Sequence, residues 1–238
     1  RLNFSRRCAQ VVPMSAGEPH HPEYPPSRLV AVLHTRGYLP HLKREGAAYF
    51  VSFRLAGTLP REVLLRFKHE RDAIMENAKA HRAPLTLTQQ EQLFLWYCDK
   101  VDAYLDAGHG ECHLRQPEIA GLVAGAFKFF DGDRYELRAW VVMPNHTHVV
   151  VWPRLPWTLS QVLHSWRSYT ANAANERLGR KGQSFWQRES FDHLVRNDDD
   201  LARCCAYTVN NPVKAGLCAR PEDWRWSSAY RAKDEKTG

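Results

Sequence analysis

At 238 residues and 27.5 kDa the chain is long enough to bury a substantial core, as one large domain or as a core with additions. Hydrophobic residues make up 44% and charged residues 25%, which excludes wholesale disorder, and no apolar run approaches the roughly 20 residues needed to span a bilayer. A formal charge of +7 and a pI near 9.2 point to a polyanionic partner, because a basic surface concentrates phosphate and gains affinity from counterion release. The six cysteines, Cys8, Cys98, Cys112, Cys204, Cys205 and Cys218, form no C-x-x-C pair, and no N-terminal apolar segment resembles a signal peptide. They read as reduced thiols of a soluble, cytoplasmic protein.

In chain order, residues 1–27 hold Pro13, Pro19, Pro22, Pro25 and Pro26 with His20-His21 and little apolar periodicity, the composition of a flexible, solvated arm. Order is expected to begin over Arg28 to Leu42. Ala47 to Ala56 then alternates as a strand, with Tyr49, Val51, Phe53 and Leu55 on one face and Phe50, Ser52 and Arg54 on the other. Pro60 suits a helix start, and an amphipathic helix is expected over Arg61 to about His81. A second is expected from about Thr88 to Ala107, stopped by Gly108 and Gly110, and a third from Pro117 to about Phe130. Cys112-His113 lacks a second ligand pair at zinc spacing.

Tyr135 to Met143 reads as a strand, Pro144-Asn145 as a tight turn and His146 to Trp152 as the antiparallel return. Thr158 and Gln161 have the spacing of a capping box that opens a helix running to about Leu178. A short strand is expected over Ser190 to Val195. The acids Asp198-Asp199-Asp200 announce a helix over about Leu201 to Asn210 that ends at Asn211-Pro212. A final turn around Pro221 to Ser228, with Trp224 and Trp226 as packing residues, leads to a short helix and a charged tail over 231–238.

The chemistry concentrates in the hairpin Trp140 to Trp152. Residues i and i+2 of a strand share a face, so His146 and His148 present two imidazoles to one ion while Thr147 and Val149 pack behind. Imidazoles suit a divalent metal but do not complete its coordination, and a core histidine pair reads the same way. The following helix carries Tyr169 with Asn172 and Ala173 within a turn. A tyrosine on an apolar helix face is usually core, yet its oxygen is also a nucleophile for phosphoryl transfer.

The blocks MPNHTHVVV, SWRSYTANAANERLGRKGQSFWQRESFDHLVRN, YTVNNPVKAGL and PEDWRWSSAY, with GYLPHLKREGAAYFVSFRLAGTLP upstream, resemble in this order the REP-associated tyrosine transposases. These are domesticated relatives of the single-strand HUH transposases of small insertion sequences, and the resemblance runs from about residue 37 to 230. It implies an α+β fold: a ferredoxin-like antiparallel sheet with packed helices in a domain spanning 28–230, a helical insertion at about 60–131 and a C-terminal extension. It further implies His146 and His148 as ligands of Mg²⁺ or Mn²⁺, and Tyr169 as the nucleophile that makes a 5′-phosphotyrosine and a free 3′-hydroxyl. The polar ligand such enzymes carry one turn after the tyrosine falls at Ala173, which has no ligand atom, so Asn172 takes that expectation.

The implied partner is single-stranded or hairpin DNA, bound by a monomer or homodimer and without a membrane. Arg54, Arg167, Arg177, Arg180, Lys181, Arg188 and Lys214 are the expected phosphate contacts and Trp186 a stacking surface, against a plain alternative of a solvated basic loop with a core tryptophan. Two other functions stay open. One is a DNA-binding protein that keeps the fold but has lost efficient chemistry because of Ala173. The other is an unrelated H-x-H metal hydrolase, disfavoured because no further carboxylate pair stands close by in sequence.

Overall fold

The computed structural model describes residues 32–35, 40–80 and 85–232, with side chains placed for 44–76 and 85–232. The expected arm over 1–27, including His20-His21, the end of the first helix at His81 and the tail beyond 232 lie outside the described residues.

The alternation expected around Tyr49 sets the centre of the molecule. After a two-stranded ribbon, β1 (Val32–Thr35) and β2 (Pro40–Lys43), the chain enters β3 (Tyr49–Arg54). This strand joins β4 (Tyr135–Val142), β5 (His146–Pro153) and β6 (Phe191–Leu194) in one antiparallel sheet of order β4-β5-β3-β6. With α4 (Pro117–Lys128) between β3 and β4 and α5 (Leu159–Arg177) between β5 and β6, the order is that of a split βαββαβ ferredoxin-like sheet. The fold is α+β, as expected.

Strand alternation sends successive side chains to opposite faces, and both faces are covered. One face carries Tyr49, Val51, Phe53, Leu55, Val149 and Val151, packed on Ile119, Val123 and Phe127 of α4 and on Val162, Leu163, Trp166 and Ala174 of α5. The other carries Phe50, Val150 and Trp152. That face is covered by α1 (Arg61–Ala80), α2 (Leu87–Trp96), one π-helical turn (Tyr97–Val101), α3 (Asp102–Asp106) and α6 (Asp198–Lys214). The expected insertion at about 60–131 is thus divided: α1 to α3, the insertion proper, lie with α6 over the face that α4 and α5 leave free, while α4 belongs to the ferredoxin-like core.

Local signals explain the helix ends. Thr158 accepts from the Gln161 amide while the Gln161 side chain accepts from Thr158 N at 2.9 Å, completing the expected capping box, and Thr86 with Gln89 repeats the device on α2. Asn197 caps α6 by accepting from Asp200 N at 2.9 Å, with three acids in the first turn. Two expectations are corrected. Helix α6 does not stop at Asn211-Pro212 but runs through Pro212 to Lys214, since proline removes only one donor and the turn beyond it closes through Ala215 N to Asn211 O at 2.9 Å. No helix follows Ser228 among the described residues. Trp226 and Ser228 instead pair with the edge of β4, through Val142 N to Trp226 O at 2.8 Å and Ser228 N to Trp140 O at 2.9 Å, which covers an edge that would otherwise be open. Among the described residues no helix is long and apolar enough to cross a membrane, and Cys98, Cys112, Cys204, Cys205 and Cys218 are free.

Candidate active site

His146 and His148 point from β5 to the face covered by the insertion and α6, in register with Arg54 and Ser52 of β3, and both are fully buried. Their Nε2 atoms lie 3.1 Å apart. Two imidazoles about 2.1 Å from a shared ion, at a bond angle near 100°, place their nitrogens about that far apart. Asn145 sets the first ring. Its Nδ2 donates to the carbonyls of Leu105 and His109 at 3.0 Å each, so its Oδ1 must accept, and His146 Nδ1–H donates to it at 2.7 Å. That bond fixes the tautomer and leaves Nε2 bare toward His148. Burial pushes His146 down to about 3 and His148 well below its ordinary value, so both rings stay neutral, the form that binds metal.

Helix α6 supplies the rest of that wall. The Tyr207 ring stands edge-on to His148 with centroids 5.7 Å apart, and its hydroxyl donates to Asp102 Oδ2 at 2.6 Å. Lys214 Nζ donates to the Cys98 carbonyl at 3.0 Å and lies 3.5 Å from the Tyr207 hydroxyl. One turn after Tyr207, Asn211 is buried near enough to His146 and Asp106 to act on their protonation, yet neither polar atom of its amide completes a hydrogen bond. Burial, reinforced by Asp102, raises the Tyr207 phenol far above its ordinary range, so in this arrangement it keeps its proton.

The expectation that Tyr169 and Asn172 join the histidines is corrected. Helix α5 packs on the face lined by Val149 and Val151, the neighbours of the imidazoles that point the other way, so the sheet separates it from them. Within α5, Val162, Leu163, Trp166, Thr170, Ala174 and Asn175 face inward, Tyr169 is 58% exposed and Asn172 is exposed. Tyr207 falls inside the helix expected over about Leu201 to Asn210, but the nucleophile is expected at Tyr169, so Tyr207 and Asn211 carry no role in the sequence. The signal was present: tyrosine and amide four apart in YTVNN, a ligand one turn after the tyrosine, which the Tyr169 helix lacked.

The expected DNA contacts divide. Trp186 is corrected to a core residue, 7% exposed, edge-on to Phe53 and donating to Thr170 Oγ1 at 2.8 Å. Arg54 faces the insertion, buried, and donates to Thr58 Oγ1 at 3.1 Å. Arg167 is spent on the carbonyls of Gln187 and Arg188, and Arg180 on Gln183 Oε1 and His113. Arg177, Lys181, Arg188 and Lys214 are exposed, and Lys214 reaches the Tyr207 hydroxyl at the rim of the site. A second cluster, His193, Asp200 and Cys204, has ligand atoms close enough to hold a metal, but Arg196 and Arg203 already engage the Asp200 carboxylate. It is an ion-pair clamp.

No protein-family model matches the chain. It is 30% identical over 98 residues to a REP-associated tyrosine transposase of Escherichia coli and 27% identical over 106 residues to a putative REP-associated tyrosine transposase of Haemophilus influenzae. Each match covers 41% of this chain and spans 56% and 60% of those relatives' lengths. A solved structure of a REP-associated tyrosine transposase bound to a REP hairpin is similar with a TM-score of 0.42 and 18% identity, over 79% of each chain. By its sequence the chain is similar to REP-associated tyrosine transposases over 41% of its length.

Proposed function

We propose that this protein cleaves and rejoins single-stranded DNA beside a hairpin, through a covalent tyrosine intermediate and with Mg²⁺ or Mn²⁺, and that the nucleophile is Tyr207. The observation that carries the reading is the meeting, on one buried face, of two neutral imidazoles with converging Nε2 atoms and a tyrosine hydroxyl hydrogen-bonded 2.6 Å from a carboxylate. The names of the relatives, REP-associated tyrosine transposases, supply the substrate class.

The donors fit a divalent ion. Besides the imidazoles, Asn211 offers a buried amide oxygen without a partner and His148 is buried with Nδ1 unpaired, so the polar atoms of the site are under-satisfied by protein alone. When bound by His146, His148 and Asn211, such an ion polarises the scissile phosphate and stabilises charge on the leaving oxygen. The protein does the rest. With the cation in place to keep Asp102 ionised, Asp102 would take the Tyr207 proton along their hydrogen bond while Lys214 holds positive charge beside the forming phenolate. The phenolic oxygen bonds to phosphorus, the bond from phosphorus to the 3′-oxygen breaks, and that oxygen takes a proton from solvent. The reverse sequence on a new 3′-end joins strands. All members come from one chain, so one protomer suffices for one cleavage.

Ala173 loses its bearing on competence once Tyr169 is outside the site. The hydrolase alternative gains an observation instead, because the fold brings Asp102 and Asp106 to the histidines although they lie far away in sequence. Incubation of labelled hairpin oligonucleotides with Mn²⁺ separates the two. The proposal predicts a protein-DNA adduct that survives denaturation and is absent with chelator or in Tyr207→Phe. Cleavage without adduct that persists in Tyr207→Phe would contradict it and favour hydrolysis by water.

A further inference from the structure

Helix α3 of the insertion turns Asp102 and Asp106, one turn apart, toward the two imidazoles. Asp106 Oδ1 lies 3.7 Å from His146 Nε2 and Asp102 Oδ2 3.5 Å from His148 Nε2. Asp102 is fully buried and Asp106 nearly so, its side chain 9% exposed. A carboxylate so placed ordinarily collects hydrogen bonds, because an unpaired buried charge costs several kcal/mol. Here both oxygens of Asp106 and Oδ1 of Asp102 have none, and Asn211 beside them has none either. Asp106 Oδ1 and Asp102 Oδ2 face the two Nε2 atoms, and Asp102, His146 and His148 have ligand atoms within 4.8 Å of one another. The neighbouring cation, Lys214, is held by the Cys98 carbonyl and the Tyr207 hydroxyl.

We infer that Asp102 and Asp106 are carboxylate ligands of the divalent cation, so that the helical insertion forms half of the metal site. This rests on the proposed metal-dependent reading and deepens it. Two carboxylates balance the charge of a divalent ion that neutral imidazoles leave uncompensated, and oxygen donors shift the preference of the site toward Mn²⁺ and Mg²⁺. Asp102 would then serve both the nucleophile, from which it already accepts a hydrogen bond, and the cation. A cation held there would bridge the insertion and the sheet and so would add to the apolar packing that already docks them. Without metal, the two carboxylates are unfavourable to bury. Weakened acidity agrees: burial pushes Asp106 up to about 6 and Asp102 well above the carboxylate range.

The test is Mn²⁺ binding to the whole chain, read by electron paramagnetic resonance of free and bound ion and by the shift in melting temperature, for wild type, Asp106→Asn, Asp102→Asn and His146→Asn/His148→Asn. The inference expects one Mn²⁺ site in wild type, weakened at least about tenfold in each aspartate variant, with the Mn²⁺-induced stabilisation lost. It also expects the metal-free melting temperature of Asp106→Asn to equal or exceed that of wild type, an outcome a purely structural aspartate would not give. Wild-type affinity in both aspartate variants, with loss only in the histidine variant, would overturn the inference and leave the metal-dependent reading standing. No Mn²⁺ site in wild type would overturn both. Should Asp102→Asn fail to fold, Asp106→Asn alone decides.

Discussion

The site is decided at the residue scale by which side of one strand a side chain leaves. His146 and His148 share a face because they are two apart, and the sequence alone showed this. It did not show what covers that face. Tyr169 and Tyr207 both sit on amphipathic helices downstream, and only the packing puts Tyr207 against His148 and leaves Tyr169 in solvent. Tyr207→Phe is therefore expected to abolish adduct formation, while Tyr169→Phe leaves it within about twofold of wild type, as ordinary for a surface change. Asn145 is a positioning residue, holding His146 through one bond and the insertion through two. Asn145→Ala is expected to lower stability by about 2–3 kcal/mol in denaturant titrations and to weaken Mn²⁺ binding by about 10–100-fold. Asn145→Asp, which keeps the acceptor for His146, should recover part of the metal affinity.

At the scale of elements, period and punctuation located all four strands of the central sheet and the main helices. Misread pieces were those whose ends depend on tertiary context. Pro212 looked like a terminator, but α6 is held by burial of Thr208, Asn211 and Pro212 itself, and the turn beyond closes through Ala215 N to Asn211 O. Its N-terminal end is held by Asp200, which pairs with His193 of β6 and with Arg196 and Arg203, while both arginines also bind Glu91 of α2. Burial alone would raise the Asp200 carboxyl, but His193 and the two arginines overcome it and hold it well below the usual range. A carboxylate depressed in the fold adds stability that is complete above its unfolded value and is lost as pH falls through lower values. Acid unfolding is thus expected to steepen below about pH 4. Asp200→Asn should flatten that limb in circular dichroism titrations and cost about 3 kcal/mol at neutral pH, because it strands partly buried arginines.

For the whole molecule, composition and charge excluded disorder and pointed to a polyanion, and the ordered blocks pointed to a family. Neither revealed that the insertion is a wall of the site. Asp102 and Asp106 read in sequence as ordinary helix charges, and their meaning appears only when the insertion lies across β5. Their sign opposes that of Asp200. A carboxyl raised in the fold, as Asp106 is to about 6, favours the fold while protonated, so metal-free protein is expected to lose stability as pH rises from about 4 through 6, by at most about 3 kcal/mol. Chelated protein should then show a stability maximum near pH 4–5, and saturating Mn²⁺ should remove the decline above it, as thermal melts across pH would record. The central claim, that the nucleophile stands on α6 on the histidine side of the sheet, has a direct test. Trap the protein-DNA adduct, digest both components and identify by mass spectrometry the residue that carries the nucleotide. The account predicts a 5′-phosphoryl linkage on Tyr207, and a linkage on Tyr169 would contradict it.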